Sequence, residues 1–195
     1  MVKIIAFTGM PWSGKTEAVA VAREMNLPVF RMGDLVWEEV ERQGLSVDAE
    51  TVGRIANEMR EKYSGDIWAR RTCDKIKSMV DKMGSYTESR DFNNIIIIDG
   101  VRSLDEVNYF KKFFGEDFII IAIIASDEIR RQRALTRNRK DDADNILDIK
   151  KRDEREIKWG LPSVIEDADY VIRNEDTLKS FQIKIRKLLE TIAKR

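Results

Sequence analysis

The sequence predicts an α/β fold in which a five-stranded parallel sheet is flanked by helices. Apolar, strand-like runs alternate along the chain with helical patterns, as they do when crossover helices connect parallel strands. Two of the runs, 94–98 and 118–125, are apolar at nearly every position, which is typical of strands buried on both faces. The length of 195 residues fits one domain, residues 1–195.

The N-terminal half begins with a strand and soon becomes helical. In order, we predict a strand, a helix, a short strand, a helix and a helical stretch over residues 3–8, 14–25, 28–31, 33–40 and 46–83. Asp34 can open the first helix after the short strand. Asp48 and Asp66 are candidate starts for two more helices, and Gly65 is the break between them.

The C-terminal half alternates regularly. In order, we predict a strand, a helix, a strand, a charged helical stretch, a strand and a closing helix over residues 94–98, 103–114, 118–125, 127–158, 169–172 and 177–193. Ser103 or Asp105 can cap the helix that follows the third strand. The two halves together give five predicted strands.

The most specific motif is Gly-x-x-x-x-Gly-Lys-Thr between the first strand and the first helix. Glycines let backbone N–H groups turn inward around an anion, and the next helix directs the positive end of its dipole at the same point. Lys15 would reach the terminal phosphates, and the Thr16 hydroxyl would complete the coordination of Mg²⁺. We therefore predict that ATP or GTP binds along Gly9, Met10, Pro11, Trp12, Ser13, Gly14, Lys15 and Thr16.

Trp12 is an unusual residue for such a loop, since kinases of small metabolites often carry Gly there. Its side chain must point away from the phosphates, over the mouth of the site or towards solvent. Trp12 is then either a tolerated loop substitution or a residue that stacks on a base or gates the site.

Composition excludes several kinds of chemistry. The 35 basic and 35 acidic residues balance, so no bulk field draws the protein to nucleic acid or to a membrane. The sequence has no His and only one cysteine, Cys73, which excludes Ser-His pairs and internal disulfides and favours a reducing, cytoplasmic setting. We also expect no signal peptide and no membrane span. Catalysis must then depend on Lys, Arg and carboxylates.

Three charged side chains follow predicted strands at the edge where ligands bind in such sheets. Asp99 suits a role on Mg²⁺, holding a water that contacts the metal, or it is a turn cap before Gly100. Asp34 could accept a proton from an attacking hydroxyl or hydrogen-bond the acceptor, and it could also cap a helix. Arg102 could hold the acceptor's phosphate, or it is a surface residue.

Basic residues dominate the stretch 130–140, which contains no acidic residue. Arg133 and Arg137 share a helix face, and we predict that they belong to a mobile lid, residues 127–158, that closes over the triphosphate. Both arginines would then be catalytic, and Arg137 would also bind ATP. The alternatives are a solvated face paired with the acidic residues at 141–144, or an RNA contact.

The helical insert, 33–90, is where small kinases of this fold usually bind the acceptor. Trp37 is close enough to Asp34 to flank an acceptor base, and Arg70 is a candidate for the acceptor's charge. The predicted acceptor-binding set is Gly33, Asp34, Trp37, Arg70 and Arg102. Taken individually, Arg54, Arg60, Arg70 and Arg71 of the insert are expected to be solvated surface residues.

These motifs resemble the nucleoside monophosphate kinase superfamily, which includes adenylate kinase and dephospho-CoA kinase-like proteins. The resemblance is closest to the archaeal group described as adenylate-kinase-related. Gly33-Asp34-Leu35 matches the turn that opens the monophosphate-binding helix, and Asp99-Gly100-Val101-Arg102 resembles the Asp-Gly motif with its nearby Arg. The resemblance implies an adenine pocket lined by residues 169–174, including Asn174. Trp37 stands where adenylate kinases usually place an Arg, and Arg102 falls one residue early.

The sequence therefore predicts a kinase that uses ATP and Mg²⁺ to phosphorylate a nucleotide or nucleotide-like acceptor, either an AMP-like monophosphate or a hydroxyl as in dephospho-CoA. An alternative is a slow ATPase that acts as an assembly or regulatory factor on RNA or a protein partner. A third is a protein that holds a nucleotide only as a ligand.

Overall fold

The computed structural model describes residues 2–83, 95–136 and 146–194. It contains a five-stranded, fully parallel sheet with the strand order β2-β3-β1-β4-β5. The strands are β1 Lys3–Thr8, β2 Val29–Arg31, β3 Ile95–Asp99, β4 Phe118–Ile124 and β5 Tyr170–Arg173. The predicted fold class is confirmed, and each predicted strand agrees with an observed one to within one or two residues.

Nine helices flank the sheet in the described residues. They are α1 Lys15–Glu24, α2 Met32–Arg42, α3 Ala49–Lys62, α4 Ile67–Met83, α5 Leu104–Phe114, α6 Asp127–Thr136, α7 Ile146–Lys158, α8 Leu161–Glu166 and α9 Leu178–Ala193. Asp48, Ser103 and Thr177 cap α3, α5 and α9, because each side chain accepts a hydrogen bond from a backbone N–H three residues later. None of these helices is long and apolar enough to cross a membrane.

The sheet separates two apolar layers. Ile96 and Ile98 face the layer formed by α2 to α5 and α8, whereas Ile95 and Ile97 face the layer formed by α1 and α9. Both faces of the central strands are therefore covered, which explains why their sequences are apolar without alternation. Cys73 is fully buried in the first layer.

The predicted helical insert corresponds to α2, α3 and α4, and residues 84–90 of it lie outside the described part. Asp34 lies in the first turn of α2 and is not its cap, since that helix begins at Met32 after Arg31. The predicted lid contains α6 and α7. The short helix α8, with Pro162 in its first turn, was not predicted from the sequence.

Candidate active site

The loop between β1 and α1 has a backbone that only glycine tolerates at two points. Gly9 has a φ of 144°, and a Cβ there would lie 2.2 Å from the carbonyl oxygen of Ile123. Gly14 has a φ of 114°, and its Cβ would lie 2.1 Å from the side-chain nitrogen of Asn174. The two glycines of the motif are thus required by close packing against the ends of β4 and β5, as well as by the turn itself.

Lys15 turns back over this loop. Its amine donates hydrogen bonds to the carbonyl oxygen of Gly9 and, at 3.2 Å, to that of Met10. Burial lowers the pKa of Lys15 from 10.5 to about 8, although the charges of Asp99 and Glu156 act in the opposite direction. An arriving phosphate would raise this pKa again, because it favours the charged amine.

Thr16 and Asp99 are the predicted contacts to Mg²⁺. Thr16 is exposed in the first turn of α1, and the side chain of Asp99 at the end of β3 is 19% exposed. The charge of Asp99 acts on Lys15, so the carboxylate lies on the same side of the sheet as the loop. In the described residues no group of three or more acidic, Cys or His side chains could hold a metal alone. This donor set fits an ion that shares its coordination with phosphate oxygens.

Trp12 is buried and does not face solvent, contrary to one of the positions expected for it. Its side chain is 7% exposed and packs with Ala134 of α6 and Ile149 of α7. The guanidinium of Arg152 lies over the indole, 5.1 Å from the ring centroid. Trp12 also has a φ of 59°, a left-handed conformation that is rare for an aromatic residue. Trp12 therefore anchors α6 and α7, the two helices of the predicted lid.

Two arginines of α6 reinforce this connection. Arg130 is 5% exposed, pairs with Asp153 at 2.8 Å and donates to the carbonyl oxygen of Pro11 at 3.1 Å. Arg133 donates to the carbonyl oxygens of Ser13, at 3.2 Å, and Asn174, at 2.9 Å. Both guanidinium groups bind the backbone of the loop, so the catalytic role of Arg133 remains a prediction. Arg137, the other arginine predicted to be catalytic in the lid, lies outside the described residues.

Asn174 follows β5 and is 3% exposed. Its amide nitrogen donates to the carbonyl oxygen of Ser13 at 2.8 Å, and its backbone N–H donates to that of Ile124 at 2.8 Å. The side-chain oxygens of Ser13 and Asn174 are buried without a hydrogen-bond partner among the described residues. Since such atoms are normally satisfied, they are available to a bound ligand.

On the opposite side of the loop, Arg31 connects the ends of β2 and β3. It pairs with Asp34 at 3.3 Å and with Asp99 at 3.7 Å, and it lies over the Trp37 ring at 5.5 Å. Trp37 is 43% exposed, and a Cβ on Gly33 would meet nothing within 4 Å, so this corner is open to a ligand. Arg31 was not predicted from the sequence, although it lies two residues before the Gly-Asp turn.

Arg102 lies between the loop and a cluster formed by α3, α5 and α7. It pairs with Glu156 of α7 at 3.0 Å, and its backbone N–H donates to Glu106 of α5 at 2.8 Å. Its guanidinium lies 5.1 Å from the ring centroid of Trp159. Arg102 is therefore not the isolated surface arginine that was the alternative.

The remaining predicted acceptor residue, Arg70, is 51% exposed on α4. It pairs with Asp66 at 2.8 Å and lies 4.7 Å from the ring centroid of Tyr109. By contrast, Arg60 of the same insert, which was expected at the surface, has a side chain that is only 16% exposed. A single sequence could not separate the two, because both are arginines on amphipathic helices.

Comparison with known proteins agrees with this architecture. The chain is 38% identical over 194 residues to the UPF0200 protein of Methanosarcina acetivorans, an alignment that covers 100% of this chain and 97% of that one. The chain belongs to the UPF0200 family. It is also 42% identical over 192 residues to the UPF0200/UPF0201 protein of Archaeoglobus fulgidus, of which it spans only 56%. A family model described as an AAA domain matches residues 8–150.

Solved structures place this UPF0200 chain among kinase folds. The dephospho-CoA kinase of Campylobacter jejuni superposes with a TM-score of 0.57 at 14% identity, covering 100% of this chain and 98% of that one. At this level of identity the likeness shows the P-loop kinase fold alone. The comparisons thus support an archaeal family with a P-loop kinase-like fold, and the more specific likeness to adenylate kinase stays a prediction.

Proposed function

We propose that this protein is a kinase that transfers the γ-phosphoryl group of ATP to a small, nucleotide-like acceptor. The observation that carries the proposal is the convergence of the 9–16 loop, Asp99 and the Arg31–Asp34 pair at the carboxyl ends of β1, β3 and β2. Ligands bind at this edge of parallel sheets. A phosphate-binding loop beside an open, charged corner suits transfer between two bound substrates.

Each half of the site has its own residues. Backbone N–H groups of the 9–16 loop and the Lys15 amine would bind the triphosphate, with Asn174 on the nucleotide side. Thr16 and Asp99 would hold Mg²⁺, which when bound neutralises phosphate charge and orients the terminal phosphoryl group. Gly33, Asp34, Trp37 and Arg102 would contact the acceptor.

The transfer is an in-line displacement. An acceptor oxygen forms a bond to the γ-phosphorus while the bond from that phosphorus to the β,γ-bridging oxygen breaks, and ADP leaves. If the acceptor oxygen belongs to a hydroxyl group, Asp34 would take its proton. If it belongs to an AMP-like phosphate, no proton needs to move. Catalysis then consists of positioning and of charge neutralisation by Lys15 and by the lid arginines Arg133 and Arg137.

The internal contacts of the lid disfavour the alternative of an RNA-binding ATPase. Arg130 and Arg133 would be central to such a contact, yet both bind carboxylates or carbonyl oxygens of this chain. Arg130 in particular is 5% exposed, so an RNA contact through it would first have to break these pairs.

The test is ³¹P NMR of the protein with Mg·ATP and a pool of nucleoside monophosphates and dephospho-CoA. We expect a new phosphorylated product that is absent with Lys15→Ala and retained with Lys184→Ala, a change to an exposed lysine of α9. Formation of ADP and free phosphate alone, at a slow rate, would contradict the proposal and favour the ATPase.

A further inference from the structure

Three guanidinium groups from three different elements surround one indole. Arg60 of α3, Arg102 after β3 and Arg155 of α7 lie 4.9, 5.1 and 5.2 Å from the ring centroid of Trp159. An indole has two faces, so at least two of these cations lie on the same side of it. The ring nitrogen of Trp159 donates to Asn57 of α3 at 3.0 Å, which holds the indole in place.

The negative charges of the carboxylates in this cluster do not balance the positive charges of its arginines. Glu106 accepts from Arg60 at 3.2 Å, and Glu156 accepts from Arg102 at 3.0 Å. Both carboxylates are buried, at 0% and 4% exposure. Glu156 approaches Arg155 only to 4.0 Å, so among the described residues Arg155 has no short ion pair.

Two further observations indicate unused binding capacity. The Nε atoms of Arg60 and Arg155 are buried without a hydrogen-bond partner in the described residues. Burial, together with the neighbouring charges of Arg102 and Arg152, lowers the pKa of Arg155. Buried donors and like charges in close proximity are costly unless an anion compensates them.

The cluster is accessible and adjoins the phosphate-binding loop. The side chains of Arg102 and Arg155 are 35% and 38% exposed, so a solute can reach them. The charges of Arg102 and Glu156 both act on Lys15. An anion bound at Trp159 would therefore lie within electrostatic range of the phosphates bound by the loop.

We propose that Arg60, Arg102 and Arg155 form a phosphate-binding subsite against Trp159, and that the acceptor of this enzyme is a phosphate-bearing molecule. Planar guanidinium groups bind phosphate through paired N–H donors, and three of them match a dianion better than a single carboxylate. This substrate class rests on the proposed kinase function, whereas the subsite itself does not.

The test measures binding of inorganic phosphate by ³¹P NMR titration, with the nucleotide site filled by Mg²⁺ and β,γ-imido-ATP. Wild-type protein should bind phosphate saturably, and Arg155→Gln should weaken binding by about tenfold, the loss of one charged hydrogen-bonding partner. Arg155→Lys, which keeps the charge but loses the planar donors, should give an intermediate affinity. Arg54→Gln on the same α3, 50% exposed and paired with Glu58, should change nothing.

The outcomes separate the two proposals. Unchanged phosphate affinity in Arg155→Gln, or an equal loss in Arg54→Gln, would overturn the subsite. Malonate that binds the subsite as tightly as phosphate and displaces it would assign the subsite to carboxylates and overturn the phosphate assignment. Phosphate binding that persists while no acceptor is phosphorylated would retain the subsite and reject the kinase. Rapid transfer to an acceptor without a phosphate, unaffected by Arg155→Gln, would retain the kinase and overturn the assignment of a phosphate-bearing acceptor.

Discussion

At the scale of single residues, the loop motif was predictable and its surroundings were not. The spacing of Gly9, Gly14 and Lys15 is specific because each residue has a backbone or charge requirement that few others meet. The burial of Trp12 against α6 and α7 depends instead on contacts with Ala134 and Ile149, which follow it by more than a hundred residues in the sequence. Such pairings leave no local pattern in one sequence.

The first prediction concerns the proton on Lys15. Its lowered pKa of about 8 means that part of the free protein carries a neutral amine above that pH. Phosphate favours the charged form, so binding of Mg·ADP should take up a proton there, and affinity should fall as pH rises through 8.

Calorimetry in buffers of different ionisation enthalpy measures this uptake. We expect little uptake by Lys15 at about pH 7.5 and an uptake approaching one proton at about pH 9. The same uptake should remain in Lys184→Ala. Affinity for Mg·ADP that stays constant from neutral pH to about pH 9 would contradict the lowered pKa.

The second prediction concerns Trp12. Replacing it with Ala should lower the free energy of unfolding by about 3–5 kcal/mol, since a buried indole is lost. Replacing Trp12 with Gly should lower the free energy of unfolding by less than replacing it with Ala does, and the difference should be up to about 1 kcal/mol. The reason is that glycine adopts the left-handed conformation without strain. Urea unfolding of both variants checks the order. A Gly variant clearly less stable than the Ala variant would contradict the strained backbone.

At the scale of elements, the sequence predicted strands and caps well because each rests on a local signal. Apolar runs marked all five strands, and Asp48, Ser103 and Thr177 cap the helices that they were expected to open. The junction of α3 with α7 could not be predicted in this way. It depends on Arg60 and Arg155, which do not differ locally from surface arginines, and on their contacts with Trp159.

The third prediction uses two glycines of the insert. A Cβ on Gly53 would lie 3.7 Å from Arg155, an ordinary contact, so Gly53→Ala should stabilise α3 by about 0.5–1 kcal/mol. A Cβ on Gly65 would lie 2.1 Å from the carboxylate of Asp105, so Gly65→Ala should destabilise the protein by about 1–3 kcal/mol. Thermal unfolding compares the pair. Equal shifts of the two midpoints would show that Gly65 is not packed closely against Asp105.

At the scale of the whole molecule, one sheet with helices on both faces supports a site at a single edge. Parts of the lid and of the insert fall outside the described residues, so Arg137 stays a prediction. The chain spans about half of the Archaeoglobus relative and nearly all of the Methanosarcina one. The kinase-like unit is therefore shared by relatives of different length.

The fourth prediction is global. A nucleotide that binds only the folded protein, at a hundred times its dissociation constant, should stabilise it by about 2.7 kcal/mol. For a chain of this size the unfolding midpoint should rise by about 5–10 °C. Differential scanning calorimetry with Mg·ADP and Mg·GDP measures the shift and the base preference. A shift of the same size in Lys15→Ala would show that the nucleotide binds elsewhere.

The four consecutive isoleucines of β3 have a consequence for folding. If the strand slipped by one residue against β1, every isoleucine would exchange one apolar layer for the other, and its burial would not change. A slip that moved Asp99 from its position beside Phe7 to one beside Ala6 would carry its carboxylate into the apolar interior, where a charge is unfavourable. The Asp99 carboxylate, which is proposed to hold Mg²⁺, thus also specifies how β3 aligns with β1. Selection on Asp99 would therefore act through correct folding, even in a relative that had lost its activity.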